Sequence, residues 1–445
     1  MQNTTRTIIT CVLLSFAATT LAQAQQSRKL SLEDAIRIGI ENSKLLHSSQ
    51  ARIEYAEAKT SETNASRLPS LKFGGAYTRL STVPEFSVAL PFLPPGANTF
   101  VISPSIFDNY NLRLTLQQPI FTGFRLTNSV KAAEYSAAAA QEDFSKDKIE
   151  FVYNIKNAYW NLFKAMEFKR VIEENVEQVK AHLKDVQNMH QQGMVTKNEL
   201  LKVQVQLSEA SLRHLDAKNN VQLAMLGLNN ALGLPLHTDL SLEVSVDHQP
   251  KEFGSLNTLI EKATASRSDI RGMEYRVKAG EAGVSIAKGG WLPQVYLTGN
   301  YYYSRPNQRI LPTTDAFKDT WDVGIAVSFD IWNWGTTVHQ TNQAEAQLAQ
   351  AKDALGLMKD GVTLEVTQSF LFLEQSKERI SVSKQSVEQA DENFRVTTEK
   401  FKSGLALNSD VLDAEVALLQ AKTNYTQSLV DYALAEARLM KSIGE

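Results

Sequence analysis

Sixty-eight consecutive residues, Phe124 to Gln191, contain neither proline nor glycine. Val152, Ile155, Tyr159, Leu162 and Ala165 recur there at spacings of three and four, the pattern of a helix with one apolar stripe. At about 1.5 Å per residue an unbroken helix of this length spans roughly 100 Å. Helices of compact domains run about 8–20 residues, so the stretch predicts a coiled-coil or helical-barrel element. Thr336 to Ser403 repeats the pattern, with Gly356 and Gly361 as its weak points. Whatever the chain folds into must accommodate two such rods.

The N-terminus reads as a secretory signal over residues 1–24. Arg6 supplies the positive charge, Ile8 to Ala18 the apolar core and Ala22-Gln23-Ala24 the small-residue cleavage site. Cys11, the only cysteine, lies inside it, so the exported chain is expected to carry no disulfide. The formal net charge of −3 changes by one with loss of Arg6. With no basic run present, nothing points to nucleic acid.

The rest is one unit written twice. At an offset of 224, Ser31-Leu32 falls on Ser255-Leu256, Leu68-Pro69 on Leu292-Pro293 and Tyr77 on Tyr301. At an offset of 211, Ile155 to Gly233 overlays Val366 to Gly444, with Val176-Glu177-Gln178 on Val387-Glu388-Gln389 and Gly193 on Gly404. So long a period is a duplicated helix–strand–strand–helix–helix unit rather than a solenoid. The expected division is 25–234 for the first repeat, 235–254 for a linker in the equatorial region, and 255–445 for the second repeat.

Each repeat opens with a helix, Leu32 to about Ser66 and Leu256 to about Lys288, stopped by Pro69 and Pro293. Strands follow. Tyr110, Leu112, Leu114 and Leu116 alternate with Asn111, Arg113, Thr115 and Gln117; Trp321, Val323, Ile325, Val327 and Phe329 alternate with polar or small residues. Leu71 to Arg79 and Gln294 to Ser304 are weaker versions. Taken singly, such strands equally describe half of a soluble sandwich. However, each has about the 9–11 residues of a tilted transmembrane strand, and spanning strands must close into a barrel. Four strands cannot close alone, so the transmembrane reading requires several copies of the chain. Gly123 and Gly335 mark the passage from strand to long helix, among Phe121, Phe124, Trp332 and Trp334. These fit an interfacial belt or, more plainly, a hydrophobic junction. Ser81 to Asn109 and Arg305 to Thr320 read as the loops at the opposite side.

Both rods end in similar turns. Gly193 and Gly404 suit the left-handed residue after a helix, with Asn198/Glu199 and Ser409/Asp410 at the start of the next. On that reading Asp410 only caps. Asp413, three residues on, shares its face, and multiplied about an axis the pair makes an acidic ring selective for cations.

Gly404-Leu405 followed by Asp410-Val411-Leu412-Asp413-Ala414-Glu415, together with the duplication, the Leu-Pro breaks and the signal, resembles the TolC-type outer-membrane efflux proteins over essentially the whole mature chain. The resemblance implies a mainly α fold with a transmembrane β part. A homotrimer would form an α-helical tunnel of antiparallel coiled coils, joined to a 12-stranded β-barrel in outer-membrane lipid to which each protomer gives four strands. It implies an exit duct of a tripartite efflux or type I secretion system, running from the periplasm to the exterior of a diderm cell. The duct would be served by a periplasmic adaptor and an inner-membrane RND or ABC transporter. It further implies a periplasmic gate at Asp410, Asp413, Glu199 and Phe401, with adaptor docking at Gly193, Met194, Val195, Gly404, Leu405 and Ala406. Phe401 stands where the best-known member has a gate tyrosine and Ala406 where it has an arginine, so that polar lock is missing.

The alternatives are a trimeric structural or adhesive coiled-coil protein and an outer-membrane enzyme. Catalytic motifs of the H-E-x-x-H, G-x-S-x-G or phosphate-loop kind are absent from the sequence, and the seven histidines are scattered. No enzyme, cofactor or metal is expected.

Overall fold

The computed structural model describes residues 28–89, 92, 94, 99–243 and 252–445; the signal segment 1–24 lies outside them. Along the chain come β1 (Arg28–Leu30), α1 (Leu32–Asn42), α2 (Lys44–Ala65), β2 (Ser70–Arg79), β3 (Phe86–Ala89), β4 (Thr99–Ser103) and β5 (Asp108–Thr122). Then follow α3 (Arg125–Gln191), α4 (Lys197–Leu232), β6 (Leu240–Leu242), α5 (Leu256–Ser266) and α6 (Ser268–Lys288). Beyond a short 3-10 turn at Gly289–Trp291 lie β7 (Gln294–Arg305), β8 (Lys318–Ser328), α7 (Thr336–Lys402) and α8 (Asn408–Ser442). Each rod is a single 67-residue helix, and Gly356 and Gly361 interrupt nothing in α7.

The chain forms two compact units, each drawing on both repeats. One comprises Ala51–Glu142 and Arg271–Leu357. Its centre is an antiparallel sheet in the order β2-β5-β7-β8. The register sets Phe73 beside Leu114, Leu114 beside Tyr301 and Tyr301 beside Trp321, so one face is apolar across all four strands. Phe73 and Trp321 on that face are 72% and 71% exposed. The opposite face sets Lys72, Thr115, Asn300 and Asp322 in one row. β5 runs five residues past the expected end at Gln117, because a register shift beyond Pro119 accommodates the residue that cannot donate to the ladder. The expected loop 81–109 contains a hairpin, β3 paired with β4. The expectation of only four strands is therefore corrected: eight occur among the described residues, four of them in this sheet.

Pro69 and Pro293 sit directly before β2 and β7, as the helix breaks predict. At the other strand ends two successive left-handed residues turn the chain into the rods: Gly123 and Phe124 (φ 63° and 62°), and Trp334 and Gly335 (φ 53° and 78°). The turn is kept in both repeats while glycine and aromatic exchange places.

The other unit comprises the chain up to Gln50, Asp143–Ile270 and Met358–Glu445. Here the opening helices depart from expectation, since both are broken. Ser43 ends α1 with ψ 109° and its Oγ accepts the Leu46 N–H, capping α2. Arg267 ends α5 before α6 with ψ 129°, its guanidinium held by Asp269 and Glu365 at 2.7 Å and by the Ser442 carbonyl at 2.9 Å. β1 pairs in parallel with β6, a strand inside the linker. Tyr159 of α3, fully buried, sets its hydroxyl 3.2 Å from the carbonyls of Leu30 and Glu243, fixing both chain segments to the rod. Burial pushes its phenol up to about 12. Leu30, Ile38, Ile155, Leu162, Leu228 and Leu232 pack around it.

Candidate functional site

The rods close with matching turns. Gly193 (φ 74°) donates its N–H to the His190 carbonyl and Met194 to Met189, both at 2.9 Å; Gly404 (φ 73°) and Leu405 repeat this with Phe401 and Lys400 at 2.9 and 2.8 Å. These are left-handed caps that satisfy the last carbonyls of each helix. Met194 and Leu405 are 62% and 79% exposed, whereas Val195 and Ala406 tuck partly against the apolar cluster behind them. The next helices start one residue earlier than Asn198 and Ser409, at Lys197 and Asn408, so that the capping positions fall on Thr196 and Leu407. Thr196 caps α4 through its Oγ1, which accepts the Glu199 N–H, and Leu407 precedes α8. Leu407 has no side-chain acceptor, so the Asp410 carboxylate does the capping by accepting the Leu407 N–H at 2.9 Å. Asp410 and Asp413 are both exposed.

Glu199, the counterpart of Asp410 in the first repeat, points elsewhere. Its carboxylate accepts from Asn408 Nδ2 at 2.9 Å and pairs with Lys202 at 3.0 Å. Those two donors, Asn408 first, hold its pKa below the usual carboxylate range. Asn408 Oδ1 in turn accepts from His182 Nε2 at 2.7 Å, which fixes the tautomer, because Asn408 spends its donor on Glu199. The His182 ring stacks edge-on against Phe401 with centroids 5.2 Å apart. Both rings are about 95% buried, among Val179, Val186, Val203 and Val411. Burial pushes the His182 imidazole down, so it is held neutral. One residue from each of α3, α4, α7 and α8 therefore meets in a clasp of His182, Glu199, Phe401 and Asn408.

One heptad deeper the pattern recurs. Asn175 and Glu415 lie seven residues from His182 and Asn408, and Asn175 Nδ2 donates to Glu415 Oε1 at 2.5 Å. Glu415 is 1% exposed, and burial pushes its carboxyl up to about 7 against the opposing pull of Asn175 and Arg213. Glu415 Oε2, Asn175 Oδ1 and Arg213 Nε and Nη2 have no partner. Polar rungs at heptad spacing in an apolar seam fix the register of packed helices.

Of the residues singled out from sequence, Phe401 and Glu199 join the clasp, Asp410 caps its own helix, and Asp413 lies exposed one turn on. The sequence alone gives His182, Asn408 and Asn175 no role, and Glu415 enters there only as the last residue of the family motif. The readable signal was their double heptad spacing, running in opposite senses on α3 and α8. Among the described residues there is no cluster able to hold a metal, and no helix is long and apolar enough to cross a membrane.

The sequence profile described as outer membrane efflux protein matches residues 36–234 and 259–445. The chain belongs to the outer membrane efflux protein family. Among its relatives, the outer membrane efflux protein BepC of Brucella suis is 23% identical over 331 residues, covering 74% of this chain and 71% of that protein. The outer membrane protein TolC of Escherichia coli is 22% identical over 409 residues, 90% and 79% of the two. In three dimensions the chain is similar to the outer membrane protein VceC of Vibrio cholerae, with a TM-score of 0.76 at 19% identity, covering 93% of this chain and 96% of that one. As a family member the protein is an outer-membrane exit duct and not an enzyme, with the fold of a trimeric helical tunnel and a β-barrel. It works with a periplasmic adaptor and an inner-membrane pump. The fibre and enzyme alternatives fall with that membership.

Proposed function

We propose that the two tips form the periplasmic gate of this duct, with Asp410, Asp413 and Glu199 as its acidic charge. Gly193, Met194, Val195, Gly404, Leu405 and Ala406 present the surface on which the adaptor docks. Each repeat, 25–234 and 255–445, supplies one half of the protomer, and the linker 235–254 belongs to the equatorial region. Cargo delivered by the pump moves through passively, whether in efflux or in type I secretion.

The observation that supports the gate is the clasp. It draws on both rods and both return helices of a protomer, and joins the edge contact of two rings, set in a small apolar cluster, to a short chain of hydrogen bonds. The packed rings hold the closed state, and the hydrogen bonds, each worth about 1 kcal/mol net, are the part that exchanges on docking. Phe401 acts here from inside the protomer, where the tyrosine–arginine lock of the best-known member is missing. The exposed apolar Met194 and Leu405 are ready-made contacts for a partner.

Planar-bilayer recording tests this. Phe401→Ala and Asn408→Ala should raise the open probability of the purified trimer, and Asp410→Ala with Asp413→Ala should weaken block by divalent cations. Unchanged gating in both clasp variants would reduce the clasp to packing, and unchanged block would remove the two aspartates as the ring.

A further inference from the structure

The polar face of the barrel sheet carries a charge pattern that transport through the helical tips does not explain. In a closed barrel the apolar face of Phe73, Leu114, Tyr301 and Trp321 meets lipid, so the opposite face lines the lumen. Lys72, Arg113 and Lys318 lie on that inner face by register, and Asp322 is its only carboxylate within the four strands.

A fourth cation is brought in from outside the strands. The segment after β7 folds back over the inner face. Asn307, 4% exposed, donates to the Lys318 carbonyl at 3.0 Å and to Thr320 Oγ1 at 3.2 Å, while its Oδ1 accepts the Arg309 N–H at 3.0 Å. Further along, the Thr313 N–H bonds the Ile102 carbonyl at 2.9 Å. Arg309 thereby reaches Asp322 at 2.7 Å, four residues into β8, or roughly 13 Å down the wall.

The guanidinium of Arg309 lies 4.0 Å over the Tyr302 ring, and that of Arg113 lies 5.2 Å from the same centroid. Asn300 completes the network, accepting from Arg113 Nη2 at 2.6 Å and donating to Asp322 at 2.8 Å. The single carboxylate is thus already engaged by Arg309 and Asn300. Against that one carboxylate the inner face of the four strands carries Lys72, Arg113 and Lys318 besides the Arg309 brought in from outside, and threefold symmetry multiplies the excess positive charge around one lumen.

We infer that the barrel lumen is a cationic exit filter, latched by Arg309, that favours anionic cargo on its way out. The inference rests on the duct reading, and it sets the exit opposite in sign to the acidic periplasmic tips. Cationic rings lining a pore select anions in the same way that carboxylate rings select cations. The aromatic wall at Tyr302 gives planar anions an additional surface.

The test is block of single-channel current in the purified full-length trimer by inositol hexaphosphate added to the chamber facing the barrel. The native channel should be blocked, and high salt should relieve the block. Arg309→Gln should raise the blocking concentration about tenfold or more, because three charges are lost at once. Lys72→Gln, which leaves the Arg309–Asp322 latch intact, should weaken block in the same direction, and Arg309→Lys should restore it. A conducting native channel that the polyanion does not block, or variants blocked as well as the native one, would overturn the filter and leave the duct standing. Absence of any conductance would overturn both.

Discussion

Gly123 shows how much a single position can hold. Its φ of 63° is left-handed, and a Cβ there would come within 2.5 Å of the Gly289 carbonyl oxygen. Gly335, at the matching turn, has φ 78° but nothing nearer than 3.6 Å. Backbone conformation alone costs an L-residue about 1 kcal/mol in this region, whereas a backbone clash demands movement of the strand–helix junction itself. Gly335→Ala should therefore lower stability by about 1 kcal/mol, and Gly123→Ala by roughly 3 kcal/mol or more; thermal melting of the purified trimer separates them. The turn was legible in the sequence because glycine beside an aromatic residue ended each strand pattern. The reciprocal closeness of Gly289 was not, since it depends on a neighbour more than 160 residues away. The clasp was half legible for the same reason. Glu199 and Phe401 stand in recognisable turns, but His182 lies inside a helix and gains meaning only through Asn408 on another.

At the scale of elements, the seam between α3 and α8 is governed by the rung of Asn175 and Glu415. A carboxyl raised from 4.5 to about 7 favours the folded state while it is neutral. That contribution is complete below the ordinary glutamate range and is lost as pH rises through about 7. The difference is on the order of 3 kcal/mol. Glu415→Gln should leave stability nearly unchanged at pH 4.5 and raise it at pH 8, and melting curves at the two pH values read this directly. Equal shifts at both would mean that the carboxyl ionises freely. His182, pushed down by burial, works in the opposite sense: its contribution is present above its ordinary range and is lost as pH falls. The rods themselves were plain from their unbroken 3.6-residue periodicity, and the strands from their alternation. The breaks at Ser43 and Arg267 were hidden because neither residue is glycine or proline; a hydroxyl cap accompanies one, and at the other Arg267 pairs with Asp269 nearby and with Glu365 far along the chain. β6 was hidden because three residues acquire strand character only by pairing with β1.

For the whole molecule, the governing feature is that β2 and β8 are the edges of a sheet with one apolar face. Lipid tolerates no open edge, so each edge must find its complement on another copy. A proline in place of Phe73 removes a donor from the edge strand, and light scattering in detergent should then show loss of the trimer; trimers of normal mass would contradict this. Two classes of defect also differ in their inheritance. A chain broken at its edge is left out of every assembly and harms none of its sisters, so the fault is recessive. A chain that pairs normally but lacks the clasp enters mixed assemblies and leaves their common passage ajar. With equal expression of the two forms, only about one trimer in eight escapes it, so a fault at the tips is dominant.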